Sequence, residues 1–252
     1  GFGATPVGTV VNNADGTFDY DPNALFEALT VGETTTDSFT YQVTDGITTE
    51  TATVSITLTG QNDPVTAVAD AVGVTEDDGA VNITASVLAN DTDPDIDGIG
   101  LDDTLTVTGF TAAGTGQVAL AGGVLRYDPN GAFEALAAGE TATDSFTYQV
   151  SDGNGSTQTA AVTVTISGRN DPPVAVDDTL AGVLEDDLAA STTVDVRGND
   201  SDPDTSDTLT VLPGFSGTPL GAVTNNGDGS FDYDPNGQFD ALTVGETTTD
   251  TF

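Results

Sequence analysis

From residue 159 to residue 166 the chain alternates strictly. Thr159, Ala161, Thr163 and Thr165 interleave with Ala160, Val162, Val164 and Ile166, a period of two that puts one face in a core and leaves the other in water. Threonine, β-branched and polar, suits such a solvated strand face. Shorter apolar or alternating runs at 81–88, 105–110, 124–127 and 146–150 are separated by clusters of Gly, Asn, Asp and Pro, and each reads as a strand bounded by turns. About seven short strands in ~100 residues predict an immunoglobulin-like sandwich, and Asp144-x-Phe146-x-Tyr148-x-Val150 fits a strand entered through a tyrosine corner. The sequence therefore reads as all-β.

The pattern recurs. Tyr20-Asp21-Pro22-Asn23, Tyr127-Asp128-Pro129-Asn130 and Tyr233-Asp234-Pro235-Asn236 lie 107 and 106 residues apart, a spacing that makes each repeat a small domain. Asp37 to Val43 matches Asp144 to Val150, and Gln61-Asn62-Asp63-Pro64 matches Arg169-Asn170-Asp171-Pro172. One repeat, 64–171, is complete; 1–63 reads as the C-terminal part of another and 172–252 as the N-terminal part of a third. Both ends thus fall inside a domain, as expected for a stretch of a longer array, and no signal peptide is present to read. Asp21-Pro22-Asn23 reads as an Asp cap, a Pro and one short helical turn. Asn13-Ala14-Asp15-Gly16 and Asn226-Gly227-Asp228-Gly229 read as hairpin turns that need positive φ at Gly.

Charge changes the picture. The chain carries 41 Asp plus Glu against 3 Lys plus Arg, a formal net charge of -38, and such self-repulsion opposes a compact state unless cations neutralise part of it. With Arg126, Arg169 and Arg197 as the only bases, there is no patch to track phosphates, which excludes nucleic acid as a partner. Apolar runs are far below the roughly 20 residues of a spanning helix, so no direct membrane insertion is expected. His, Cys, Met, Trp and Lys are absent. Imidazole acid–base chemistry, thiolate and Schiff-base nucleophiles, disulfides and His/Cys zinc sites have no raw material, and the chain is read as not an enzyme. Small domains without covalent staples draw stability from a metal, and hard oxygen ligands point to calcium.

Two kinds of acidic segment stand out from ordinary turns. Asn90-Asp91-Thr92-Asp93-Pro94-Asp95-Ile96-Asp97 has a copy in Asn199-Asp200-Ser201-Asp202-Pro203-Asp204, and Glu76-Asp77-Asp78 has one in Glu185-Asp186-Asp187. Alternating acids in an irregular loop can wrap one cation with several oxygens. Asp-rich turns that serve solubility or adaptation to high salt are the alternative. In a sandwich of this class the loop holding Asp91, Asp93, Asp95 and Asp97, the loop at Asp152 and the entering Asn62-Asp63 share one pole. Glu76, Asp77 and Asp78 belong to the other. Head-to-tail stacking would bring that second pole to Asn170, Asp171, Asp200, Asp202 and Asp204 of the next repeat, making each junction an acidic cage.

These residues resemble a known group: the bacterial cadherin-like extender domains, or VCBS-type repeats, of large secreted adhesins, and more distantly the cadherins. The resemblance spans the chain and rests on Asn170-Asp171-Pro172, Val74-Thr75-Glu76-Asp77-Asp78, Leu88 to Asp95, and Asp144 to Gly153. It implies tandem cadherin-like sandwiches arranged head to tail as a rod, with calcium bound between domains. Asn62, Asp63, Asn170 and Asp171 would be linker ligands, and Asp91, Asp93, Asp95, Asp200, Asp202 and Asp204 loop ligands. The implied function is a calcium-rigidified extender or filament segment outside a bacterial cell, in contact with neighbouring repeats of its own array. A glycan- or protein-binding module using the Thr-rich faces is the alternative, and self-association into fibres by completing open sheets is a third reading.

Overall fold

The computed structural model describes residues 5–96, 98, 102–187, 193–214 and 216–252; Asp97 lies outside them. These residues form two compact units, one of residues 1–132 and 142–166, the other of 133–141 and 167–252.

In the first unit, β1 (Thr9–Asn12) pairs with β2 (Phe18–Asp21) and β3 (Thr34–Thr44) with β4 (Thr49–Thr59), each as an antiparallel hairpin. Phe18 of β2 packs on Phe39 of β3, ring centroids 5.2 Å apart. The β3–β4 register sets Thr36 opposite Thr57, Ser38 opposite Ser55 and Thr40 opposite Thr53. One face of this ribbon is thus a ladder of hydroxyls, while Phe39, Val54, Ile56 and Leu58 lie on the other.

The complete repeat follows with β5 (Asp70–Thr75), β6 (Val81–Asn82), α1 (Thr84–Val87), β7 (Thr106–Phe110), β8 (Gln117–Ala121), β9 (Val124–Asp128), β10 (Thr141–Ser151) and β11 (Thr157–Ser167). They make two sheets, ordered β5-β11-β10-β7 and β6-β9-β8. The alternation read from the sequence is the alternation of burial: Val162, Val164 and Ile166 are fully buried and the threonines between them exposed. Leu125 and Tyr127 of β9 meet Phe146, Tyr148 and Val150 of β10 across the core, with the Tyr127 and Phe146 rings stacked at 6.3 Å. This is an all-β immunoglobulin-like sandwich.

Three local expectations change. Residues 81–88 are not one strand, because after Asn82 the chain turns into the four-residue helix α1, with Val87 N–H donating to Ile83 O at 3.1 Å. Ile83, the residue before the helix, and Val87, its last residue, are both buried, the i, i+4 spacing that sets two side chains on one helical face. Asp21 does capture the Asn23 N–H, at 2.8 Å, but Asn23 then takes φ 54 and the chain closes a turn rather than a helix. Asn130 and Asn236 do the same. Tyr148 is no corner residue either. Its hydroxyl crosses the core to Val87 O at 2.7 Å and to both Asp91 oxygens, at 2.7 and 2.9 Å.

The hairpin turns hold as read. Gly16 and Gly229 both take φ 95, and the middle repeat substitutes the Gly122-Gly123 pair, φ 58 and 78, as a two-residue hairpin loop requires. In the second unit, β12 (Thr193–Asp195), β13 (Ala222–Asn225) and β14 (Ser230–Asp234) form a sheet ordered β12-β14-β13. Tyr233 stacks on Phe252 there at 6.4 Å, repeating the Tyr127–Phe146 pair.

Candidate metal centre

Asp93-Pro94-Asp95 lies in a loop with no regular ladder, so its backbone polar groups must be paired locally. Asp95 N–H donates to Asp93 Oδ1 at 3.0 Å, and Asp63 N–H donates to Asp95 Oδ2 at 2.8 Å. These two bonds tie the entering linker to the loop. Asn62 Nδ2 reaches Asp63 O and Asp152 Oδ2, both at 3.0 Å, which brings the turn between β10 and β11 to the same place. Asp152 Oδ1 accepts the N–H groups of Asn154, Gly155 and Ser156 at 2.8–3.1 Å. Asp103, just before β7, completes the group and accepts from Asn154 Nδ2.

The result is a buried concentration of negative charge. Asp93, Asp103 and Asp152 each present a carboxylate oxygen, all within 4.8 Å of one another, and with Asp95 they are less than a tenth exposed. Burial pushes the Asp93 carboxyl up from its ordinary value, and the Asp95, Asp103 and Asp152 carboxylates add to it. Asp95 is pushed up likewise by burial, then by Asp63, Asp103 and Asp152. Asp152 differs: burial opposes its ionisation, but Asn62 and three backbone N–H groups outweigh it and hold its pKa below the usual range. Asn62 Oδ1, Asp93 Oδ2, Asp95 Oδ1 and Asp103 Oδ2 are buried with no hydrogen-bond partner. Four orphaned oxygens from three segments, beside the Asp152 carboxylate of a fourth, are what a hard divalent cation takes as ligands, and a buried carboxylate left unpaired is otherwise costly.

The next copy repeats the bonds between linker and loop within the second unit. Asp204 N–H donates to Asp202 Oδ1 at 3.0 Å, Asp171 N–H to Asp204 Oδ2 at 2.9 Å, and Asn170 Nδ2 to Asp171 O at 2.7 Å. Asp204 is 1% exposed and its Oδ1 is an orphan. Glu134 has a carboxylate oxygen within 4.8 Å of one on Asp171, and Ala135 O accepts the N–H and hydroxyl of Thr205.

Asp91 turns inward, taking Val68 N–H at 2.9 Å and the Tyr148 hydroxyl; Asp200 takes Val176 N–H in the same way. Glu76 is buried and Asp77 exposed, while Asp78 closes its own turn by accepting Thr75 N–H. Glu185 and Asp186 are exposed beside Asp187, which caps Leu184 N–H. Asp103 and Glu134 were missed. The repeat carried a signal for the first, since Asp103-Thr104-Leu105-Thr106-Val107 recurs as Asp207-Thr208-Leu209-Thr210-Val211.

Fold and site together define a tandem of immunoglobulin-like sandwiches with an acidic loop cluster at the entry of the complete repeat. A profile for the bacterial cadherin-like domain matches residues 61–168, and one for the bacterial Ig domain matches 2–57 and 170–252. The chain belongs to the bacterial Ig domain family, with a bacterial cadherin-like domain at its centre. No curated protein matches it. Among solved structures it is similar to a protocadherin gammaB7 EC3-6 cis-dimer structure, at 15% identity and TM-score 0.47, over 97% of this chain and 59% of that one. It is also similar to protocadherin gamma B7 cadherin domains 1-4, at 16% identity and TM-score 0.46 over 92% and 57%. Mouse cadherin-23 EC22-24 gives 12% and 0.32 over 54% and 42%. The chain spans less than two thirds of the length of each.

Proposed function

We propose that the chain is a structural, non-enzymatic segment of a bacterial surface or secreted protein, an extender whose repeats are held in place by calcium. The observation that carries this reading is the cluster of Asp93, Asp95, Asp103 and Asp152 with its orphaned buried oxygens. Asp93, Asp103 and Asp152 would hold the ion, with Asn62 and Asp95 offering further oxygens. Bound calcium supplies positive charge where the folded chain has none. The residues' own part is to bring the linker at Asn62-Asp63, the loop at Asp93-Asp95 and the turn at Asp152 to one point, so that a ligand there fixes the linker to the domain it enters. The corresponding bonds of Asn170, Asp171, Asp202 and Asp204 support a second such point, and we place the functional junctions at these two linkers. An extracellular setting supports the reading, because modules of this kind work at about 10⁻⁴ to 10⁻³ M calcium.

Calorimetric titration of calcium into the chelator-treated chain tests it. Binding that is lost or weakened at least about tenfold in D152N, with magnesium a poor substitute, is expected; no heat and no change in melting temperature on adding calcium would overturn the proposal.

A further inference from the structure

The solvated faces of the long strands carry no charge, in a chain whose 41 acids set its character. On β4 the outward residues are Thr49, Thr51, Thr53, Ser55, Thr57 and Thr59, all exposed, and the outward residues of β3 opposite them are Thr or Ser except Gln42. The same holds in the complete repeat. Outward positions on β10 and β11 are Thr, Ser, Gln and Ala alone. The acids of β3 and β10, Asp37 and Asp144, point the other way and are buried. A solvated strand face is where proteins ordinarily place charges that block association; here the outward faces of the four long strands hold none, and the exposed Glu50 of β4 lies on its other face.

We infer that this hydroxyl-lined face is a docking surface for a second copy of the chain, face to face. Charge selects the occupant. A neutral polymer gains nothing from the exclusion of acids, and a foreign polyanion would be drawn by bases that the face lacks. For a second copy of a chain with net charge -38, the neutral face is the surface where two molecules meet without setting carboxylate against carboxylate, a juxtaposition that costs several kcal/mol in other interfaces. The pattern is self-complementary as well, since every hydroxyl both donates and accepts, and an isologous contact requires that.

Size sets the strength. Two strands of 11 residues at about 3.4 Å per residue and about 4.8 Å between strands give a face of about 360 Å² per repeat. That is below the ~800 Å² per partner of a stable complex, so one repeat pairs weakly and successive repeats add avidity. The inference does not require the calcium reading, although any cation that screens the remaining acids favours close approach.

Sedimentation equilibrium of the full chain tests it, in calcium with added sodium chloride and again in chelator with salt. The expected result is a weight-average mass that climbs above the 25.3 kDa of one chain with concentration. T53D/T57D and, independently, T163D/T165D should weaken the association at least about tenfold with unchanged melting temperature. V31D/A112D, which adds the same charge off the face, should associate like the unaltered chain. A monomer up to the solubility limit in both conditions overturns the inference. So does association indifferent to the face variants, or a loss equally severe in V31D/A112D. Monomers that are retained on a neutral polysaccharide would make that polymer the occupant and overturn it too. Pairing in chelator with salt would leave the inference standing whatever the calcium titration shows.

Discussion

Asp144 and Asp93 are acids of the same domain put to opposite uses. Asp144 accepts N–H groups from Gly114, Thr115, Gly116 and Ser145 and the hydroxyl of Tyr127. Burial alone would raise its pKa, but these donors outweigh it and hold the carboxyl low. Asp37 accepts from Val7, Gly8, Ser38 and the Tyr20 hydroxyl in the preceding repeat and is held down to about 2, chiefly by Gly8 N–H. A depressed folded-state pKa contributes stability that is complete above the unfolded value and lost as pH falls through the folded one. The chain should therefore lose stability between about pH 4 and pH 2, seen as a falling urea midpoint. D144N, which replaces a fully accepting carboxylate with an amide whose NH₂ faces other donors, should cost about 3 kcal/mol in the same measurement. Asp91 serves a similar end, fastening Tyr148 to the loop, which is why an acid in the middle of the ligand-like run is spent inside the fold.

At the scale of elements, the tie at Asp144 explains a glycine. Gly116 donates to Asp144 Oδ2 at 2.8 Å while Tyr127 donates to the same oxygen, and a Cβ on Gly116 would collide with the Tyr127 hydroxyl. Gly8 with Tyr20 and Gly221 with Tyr233 repeat the arrangement. G116A should lower stability by about 2 kcal/mol or more through this overpacking, with G122A as the milder comparison, strained in backbone but open in space. The Asp93–Asp95 loop behaves oppositely. Asp93 and Asp95 have pKa values raised by burial and by their acidic neighbours, so without calcium their contribution favours folding at low pH and is lost as pH rises through the folded values. D103N, which removes one of those neighbours, should leave the calcium-free melting temperature equal or higher while shrinking the rise that calcium produces. A lower calcium-free melting temperature would show that Asp103 is a structural acid.

For the whole molecule, the net charge of -38 and the local clusters make separable demands. Salt screens diffuse repulsion over about 8 Å at physiological ionic strength, whereas a ligand bound only by the folded chain stabilises by RT ln(1 + [L]/Kd), about 1.4 kcal/mol at tenfold excess over Kd. Calcium at millimolar concentration should raise the melting temperature more than sodium chloride of equal ionic strength does. Equal rises would assign the effect to screening alone.

Much of this was legible in the chain itself. The strict alternation of β11, the Gly-bearing hairpin turns and the recurrence of Tyr-Asp-Pro-Asn determine strands, turns and repeats, because period-two burial and positive φ are local demands that particular residues meet or fail. Composition alone removed thiol and imidazole chemistry, since those need side chains that are absent. What only the tertiary structure decided is which carboxylates meet. Asp91 and Asp93 are two residues apart, yet one turns to Tyr148 and the other joins Asp103 and Asp152, which arrive from other loops. Convergence of that kind depends on where loops end in space, and an Asp before a strand looks the same in sequence whether it faces water or a buried cluster.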